Sequence, residues 1–201
     1  AMAAERAGAM VKAAPEDDTQ AIAPADLLFK ADPEDLEIFD PATPSMDDLI
    51  ARGLAMEEAA LKVSGVTKIV GASASARYAA RAMATSAGFA SGYRTSTHSH
   101  GISAIAGEGT GMERDYWYSS RRHLSDLDTP AHVGEIAGER AARRLNGAPV
   151  NTQTATIVFA PRAATGFLMH LLSAGNGTSV ARGATFLAGK LGEAVYPSRI
   201  T

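Results

Sequence analysis

Five histidines and no cysteine bound the chemistry open to this 201-residue chain. A thiolate nucleophile and any disulfide are excluded, and the lack of cysteine fits a reducing compartment. His98 and His100 stand two apart in Thr97-His98-Ser99-His100-Gly101. On a strand that spacing puts both rings on one side, where they could reach one ion. Two ligands are not a site and no third donor stands nearby in sequence, so the expectation is an exposed strand face. His123 and His132 flank a loop and a helix start and are expected at the surface.

His170 has the most informative context, Gly166-Phe167-Leu168-Met169-His170-Leu171-Leu172-Ser173-Ala174-Gly175. A histidine on a helix after a strand and a short turn is a metallopeptidase layout. That chemistry needs a Glu beside the first His, to polarise the zinc-bound water, and a second His further along the helix. Leu171 takes the first of those places, and Ala174 and Gly175 stand where a second ligand is needed. His170 remains a candidate metal ligand only. No catalytic or cofactor-binding residue is assigned. Ser119, Ser120 and Ser173 lie in no nucleophile elbow, and no phosphate-binding loop is present. Gly107 to Gly111 reads as a hairpin turn. Arg114-Asp115 reads as a polar edge beside a buried strand.

The elements that position these residues follow from pattern. Residues 2–14 are rich in helix formers and stop at Pro15. Acidic, proline-containing loop follows, with Leu27-Leu28-Phe29 as a short strand or anchor. Ser45 and Asp48 form a capping box for a helix over 46–63, with Met46, Leu49, Ile50, Leu54 and Leu61 as its apolar stripe. Residues 66–123 read as antiparallel strands with glycine turns, ending in Tyr116-Trp117-Tyr118. Thr129-Pro130 starts a helix faced by Val133, Ile136, Ala137, Ala141 and Leu145, which Asn146-Gly147 ends. Ala155 to Phe159 reads as a buried strand, 162–174 as a helix, and 186–191 as a short helix.

The order predicts an α+β fold, helices packed on a mainly antiparallel sheet. A boundary is expected at 147–154, dividing most of one domain (1–147) from the start of another (148–201). The helical opening and the abrupt end at Tyr196–Thr201 suggest a fragment. The net charge of −3 gives no nucleic-acid footprint. No run is long and apolar enough for a membrane helix, and no signal peptide opens the chain, so a cytoplasmic location is expected.

Several motifs resemble the TldD/PmbA family, also called modulators of DNA gyrase, in its PmbA (TldE) branch. They are Gly111-Met112-Glu113-Arg114-Asp115-Tyr116, Ser125-Asp126-Leu127-Asp128-Thr129-Pro130 with Val133-Gly134, Ala163-Ala164-Thr165-Gly166-Phe167, and Thr185-Phe186-Leu187 through Leu191-Gly192. The resemblance implies a two-domain α+β scaffold about twice this length, working as a heterodimer. It implies that a TldD-type partner carries zinc on an H-E-x-x-x-H helix aligned with residues 170–175, where this chain has Leu171 and Gly175. The implied role is a zinc-free partner subunit of a protease for small unfolded peptides. Alternatives are an autonomous metallopeptidase with ligands partly outside this segment, and a binding module that regulates gyrase.

Overall fold

The computed structural model describes residues 2–19, 21–30 and 34–195. Ala1, Pro33 and the expected loop Tyr196–Thr201 lie outside the described residues. Residues 24–151 form one compact unit, and residues 1–23 with 152–201 form a second.

The first unit holds helix α2 (Met46–Leu61), strands β1 (Val66–Ala84), β2 (Ala90–Ala106) and β3 (Glu113–Arg121), and helix α3 (Pro130–Ala142). The sheet order is β1-β2-β3, antiparallel throughout. This is the α+β arrangement expected. β2 is central, and its register aligns Ala72, Ile102 and Trp117 in one row and Ser73, Gly101 and Tyr118 in the next. The glycine-rich turn after β2 joins it to β3, with Gly107 at φ +79. A Cβ at Gly107 would stand 2.7 Å from Leu145 Cδ2 and 2.9 Å from the Gly111 carbonyl oxygen, so the position tolerates no side chain.

α2 begins where Ser45 and Asp48 exchange hydrogen bonds, the reciprocal cap read from sequence. α3 begins at the Thr129 cap with Pro130 in its first turn. Both helices cover one face of the sheet. The core is Met56 and Ala60 from α2, Ile102, Ala104 and Ala106 from β2, and Val133, Ala137 and Ala141 from α3. The helices approach through small residues of α3: a Cβ on Gly138 would lie 2.8 Å from a Val63 methyl and 3.0 Å from the Ala60 carbonyl oxygen.

Four expectations about packing change. Of the expected α2 stripe, Met46, Ile50, Leu54 and Leu61 are exposed, because the helix turns Met56 and Ala60 inward instead. His98 and His100 face the interior, at 0% and 2% exposure. They share the parity of Ile102, Ala104 and Ala106, the side of β2 that α2 and α3 cover. Asp115 stands on the edge strand β3 but is itself buried, opposite Ala104. Leu27 and Leu28 form a bend after the turn at residues 25–26, with Leu27 and Phe29 exposed, and no described strand lies alongside to complete a ladder.

The second unit holds α1 (Met2–Ala13), α4 (Pro161–Ala174) and α5 (Gly177–Ala181). None of the three helices buries a residue. Arg182 pairs with Asp17. The expected strand Ala155–Phe159 is irregular, with Ile157 and Val158 exposed, because no described strand lies alongside to take its backbone groups. Residues 186–191 form turns rather than a helix. The short helix lies earlier, at α5, where the Asn176 side chain accepts from the Thr178 N–H.

Candidate functional site

Two places in the chain carry chemistry-bearing side chains. The first is the polar half of the inner face of β2. Alternation turns Ser96, His98 and His100 inward, in line with the apolar Ile102, Ala104 and Ala106. The segment before α2 closes over this half. Asp40 N–H donates to Ser96 Oγ at 2.7 Å, and Ser96 Oγ donates to the Arg122 carbonyl at 2.7 Å. The Asp40 carboxylate accepts from Leu124 N–H at 2.7 Å and Ala42 N–H at 2.9 Å. These two backbone donors hold its pKa below the usual carboxylate value, with His98 and His123 adding to the effect.

His98 Nε2 lies 3.4 Å from Asp40 Oδ2, and the Tyr78 ring meets the imidazole edge-on at 5.8 Å. Tyr78 also donates from its hydroxyl to the Ala42 carbonyl. His100 sits deeper. Burial, then the Arg52 cation, push its pKa down, against the backbone and carboxylate of Asp128, which pull it up. His100 is therefore a neutral imidazole near neutral pH. His123 is a rim residue whose ring hydrogen-bonds the Glu37 carbonyl at 2.7 Å, which raises its pKa. Ser119 Oγ accepts from Asp128 N–H at 3.2 Å. This layer clamps the 37–42 and 122–128 segments to the sheet. Asp40 and Ser96 were not singled out in the sequence: 56 residues separate them, and the even-numbered alternation from Ser96 to Ala106 is a burial pattern of the folded strand.

The second place is α4. His170 lies on this helix, as expected, and is exposed. Leu171 follows it. Gly175 caps the helix, its N–H donating to the Leu171 carbonyl at 2.8 Å. The helix thus ends where a second imidazole would have to stand. α4 contains no carboxylate, and His170 is its one imidazole. Among the described residues, no three His, Asp or Glu side chains stand close enough together to hold a metal ion.

Fold and site together define an α+β protein whose sheet is covered by a helix pair on one face and braced by a buried polar layer. Residues 39–145 match the PmbA/TldA metallopeptidase central domain, and residues 152–201 match the C-terminal domain of the same family. The chain belongs to the PmbA/TldD metallopeptidase family. It is 37% identical over 175 residues to the metalloprotease PmbA of Escherichia coli O157:H7, covering 87% of this chain and 39% of that protein. It is 31% identical over 196 residues to a PmbA homologue of Haemophilus influenzae, covering 97% of this chain and 43% of that one. The chain thus spans about two fifths of the length of these relatives. Among solved structures, a Bacteroides thetaiotaomicron protein described as a modulator of DNA gyrase superposes with a TM-score of 0.81 at 27% identity, over 90% of this chain and 42% of that one. TldE from Thermococcus kodakarensis shares the fold, with a TM-score of 0.71 at 21% identity over 92% of this chain and 42% of that chain. No described helix is long and apolar enough to cross a membrane.

Proposed function

We propose that this chain is part of a non-catalytic, TldE-like subunit that completes a peptidase with a TldD-type partner. The partner carries the zinc, and the pair processes small unfolded peptides in the cytoplasm. We place the division between its two domain portions at 147/148. The observation that carries this reading is α4. His170 there has Leu171 in place of the general base and the helix-capping Gly175 in place of the second ligand. A water bound to a metal needs both a ligand set and a base beside it, and this helix supplies one imidazole. The net charge of −3 supports no nucleic-acid contact for this chain.

The test is the zinc content of the full-length protein purified without a partner, followed by peptidase assay with and without a TldD-type chain. Little zinc and activity only in the mixture is the expected result. Zinc near one per chain, with activity alone, overturns the reading in favour of an autonomous metallopeptidase.

A further inference from the structure

Glu37 is strained. Its φ of +49 lies in the left-handed region, which a residue with a long side chain rarely adopts. Two side chains hold it there. Asp35 Oδ1 accepts the Glu37 N–H at 2.9 Å, and His123 Nε2 stands 2.7 Å from the Glu37 carbonyl oxygen. A carbonyl only accepts, so Nε2 carries the proton in that bond.

Glu37 also divides the 34–42 segment in two. After it the chain is fastened to the sheet and the turn beyond. The Ile38 carbonyl accepts from Ser96 N–H at 3.0 Å, Phe39 lies 4.2 Å from the Arg94 guanidinium, and Asp40 bonds both Ser96 and Leu124. Before it, no hydrogen bond or ion pair among the described residues ties residues 34–36 to another element, and Leu36 is exposed. Together with residues 91–95 of β2 and the turn at 122–126, they line a groove of about 1230 Å³.

We propose that Glu37 is a strained hinge and His123 its latch. While the ring holds the Glu37 carbonyl, residues 34–36 stand as a wall of the groove. When that bond weakens, Glu37 relaxes to a negative φ and the wall swings away, since no other contact fastens it.

The latch responds to protons. An imidazolium donates a charge-assisted hydrogen bond, stronger than that of the neutral ring. The Glu37 carbonyl raises the pKa of His123, against burial, and the carboxylates of Asp40, Asp126 and Glu37 add to the rise. Glu34 and Asp35 bring further negative charge to the groove, while Arg94 of β2 and Arg81 of β1 oppose it. Arg122 is turned to the Ser96 carbonyl and Thr97 Oγ1, and His98 stands on the far side of Asp40. His123 thus keeps its proton above the usual 6.5, and the latch loosens as pH rises through the folded value. The competing description is a fixed surface turn in which His123 is one ordinary contact.

The test uses the full 201-residue chain, which has no cysteine. Leu36→Cys with Ser91→Cys therefore accepts nitroxide labels at two residues of the groove and nowhere else. Their distance distribution is read by pulsed EPR. It should be narrow at pH 6 and at least about twofold wider at pH 8.5. Adding His123→Ala should make it wide at both. Glu37→Asn should keep it narrow at both, because asparagine takes the left-handed conformation with little strain, as Asn146 does at φ +57. Glu37→Val, which resists that conformation, should be wide at both. A width that does not change between the two pH values, or that His123→Ala leaves narrow, overturns the proposal. So does a Glu37→Asn distribution as wide at pH 8.5 as that of the parent. None of these outcomes bears on zinc content, so the partner-subunit reading stands or falls separately.

Discussion

A Cβ placed on Gly134 of α3 would stand 2.2 Å from the carbonyl oxygen of Met56 in α2, so the two helices touch through backbone. No rotamer relieves that clash, because both atoms are fixed by helix geometry. Gly134→Ala should therefore lower stability by about 2–3 kcal/mol in urea titration, even after the helix propensity gained by alanine. Gly53 in α2 has nothing within 4 Å of the same position. Gly53→Ala should stabilise by roughly 0.5–1 kcal/mol, which makes it the control.

Trp117 lies half-buried on the inner face of β3, packed against the core. The Arg140 guanidinium sits 5.3 Å from its ring centroid and 3.5 Å from the Asp115 carboxylate. Trp117→Ala should cost about 2–4 kcal/mol, less than a wholly buried tryptophan. Trp117→Phe should recover most of it. A loss below about 0.5 kcal/mol in thermal or urea unfolding would place the ring outside the core.

Stability should fall in two stages on acidification. His100 has a folded pKa below its usual 6.5, so below that pH the unfolded chain takes up a proton the folded chain resists. Asp40 has a folded pKa below its usual 3.8, and its contribution is present above that value and lost as pH falls through the folded pKa. His123 acts in the opposite sense: its raised pKa contributes below 6.5 and is lost as pH rises through the folded value. In a Tm–pH profile, His100→Asn should flatten the first decline and leave the second. Asp40→Asn should do the reverse. A profile that His100→Asn leaves unchanged between pH 7 and 4 would contradict the assignment for His100.

His170→Ala should change stability by no more than about 0.5 kcal/mol, because the side chain is exposed on α4. In a mixture with a TldD-type chain, peptidase turnover should also be nearly unchanged. Lost turnover from an intact complex would give His170 a chemical role.

Much of the fold was legible because it depends on local pattern. The Ser45–Asp48 cap, the Thr129-Pro130 helix start and the glycine turn between β2 and β3 each follow from residues within a few positions of one another. What failed depends on neighbours distant in sequence. Ala155 to Phe159 has strand composition, but a strand needs a partner. Met46, Ile50 and Leu54 form a good stripe, yet the glycines of α3 select the face bearing Met56. His98 and His100 were placed on the right common side but with the wrong sense, since Ile102 and Ile105 have opposite parity and only the overlying helices decide between them. The helix that carries His170 and its end at Gly175 were legible from neighbouring residues alone. The layer around Asp40 was not, because 56 residues separate Asp40 from Ser96.

The inner face of β2 changes character at Gly101. Ser96, His98 and His100 lie before it, and Ile102, Ala104 and Ala106 after it. Burial of apolar groups weakens on cooling, whereas a buried imidazole is sensitive to protons. Cold and acid therefore attack opposite halves of a single strand, and each leaves the other half as the place from which the sheet can close again.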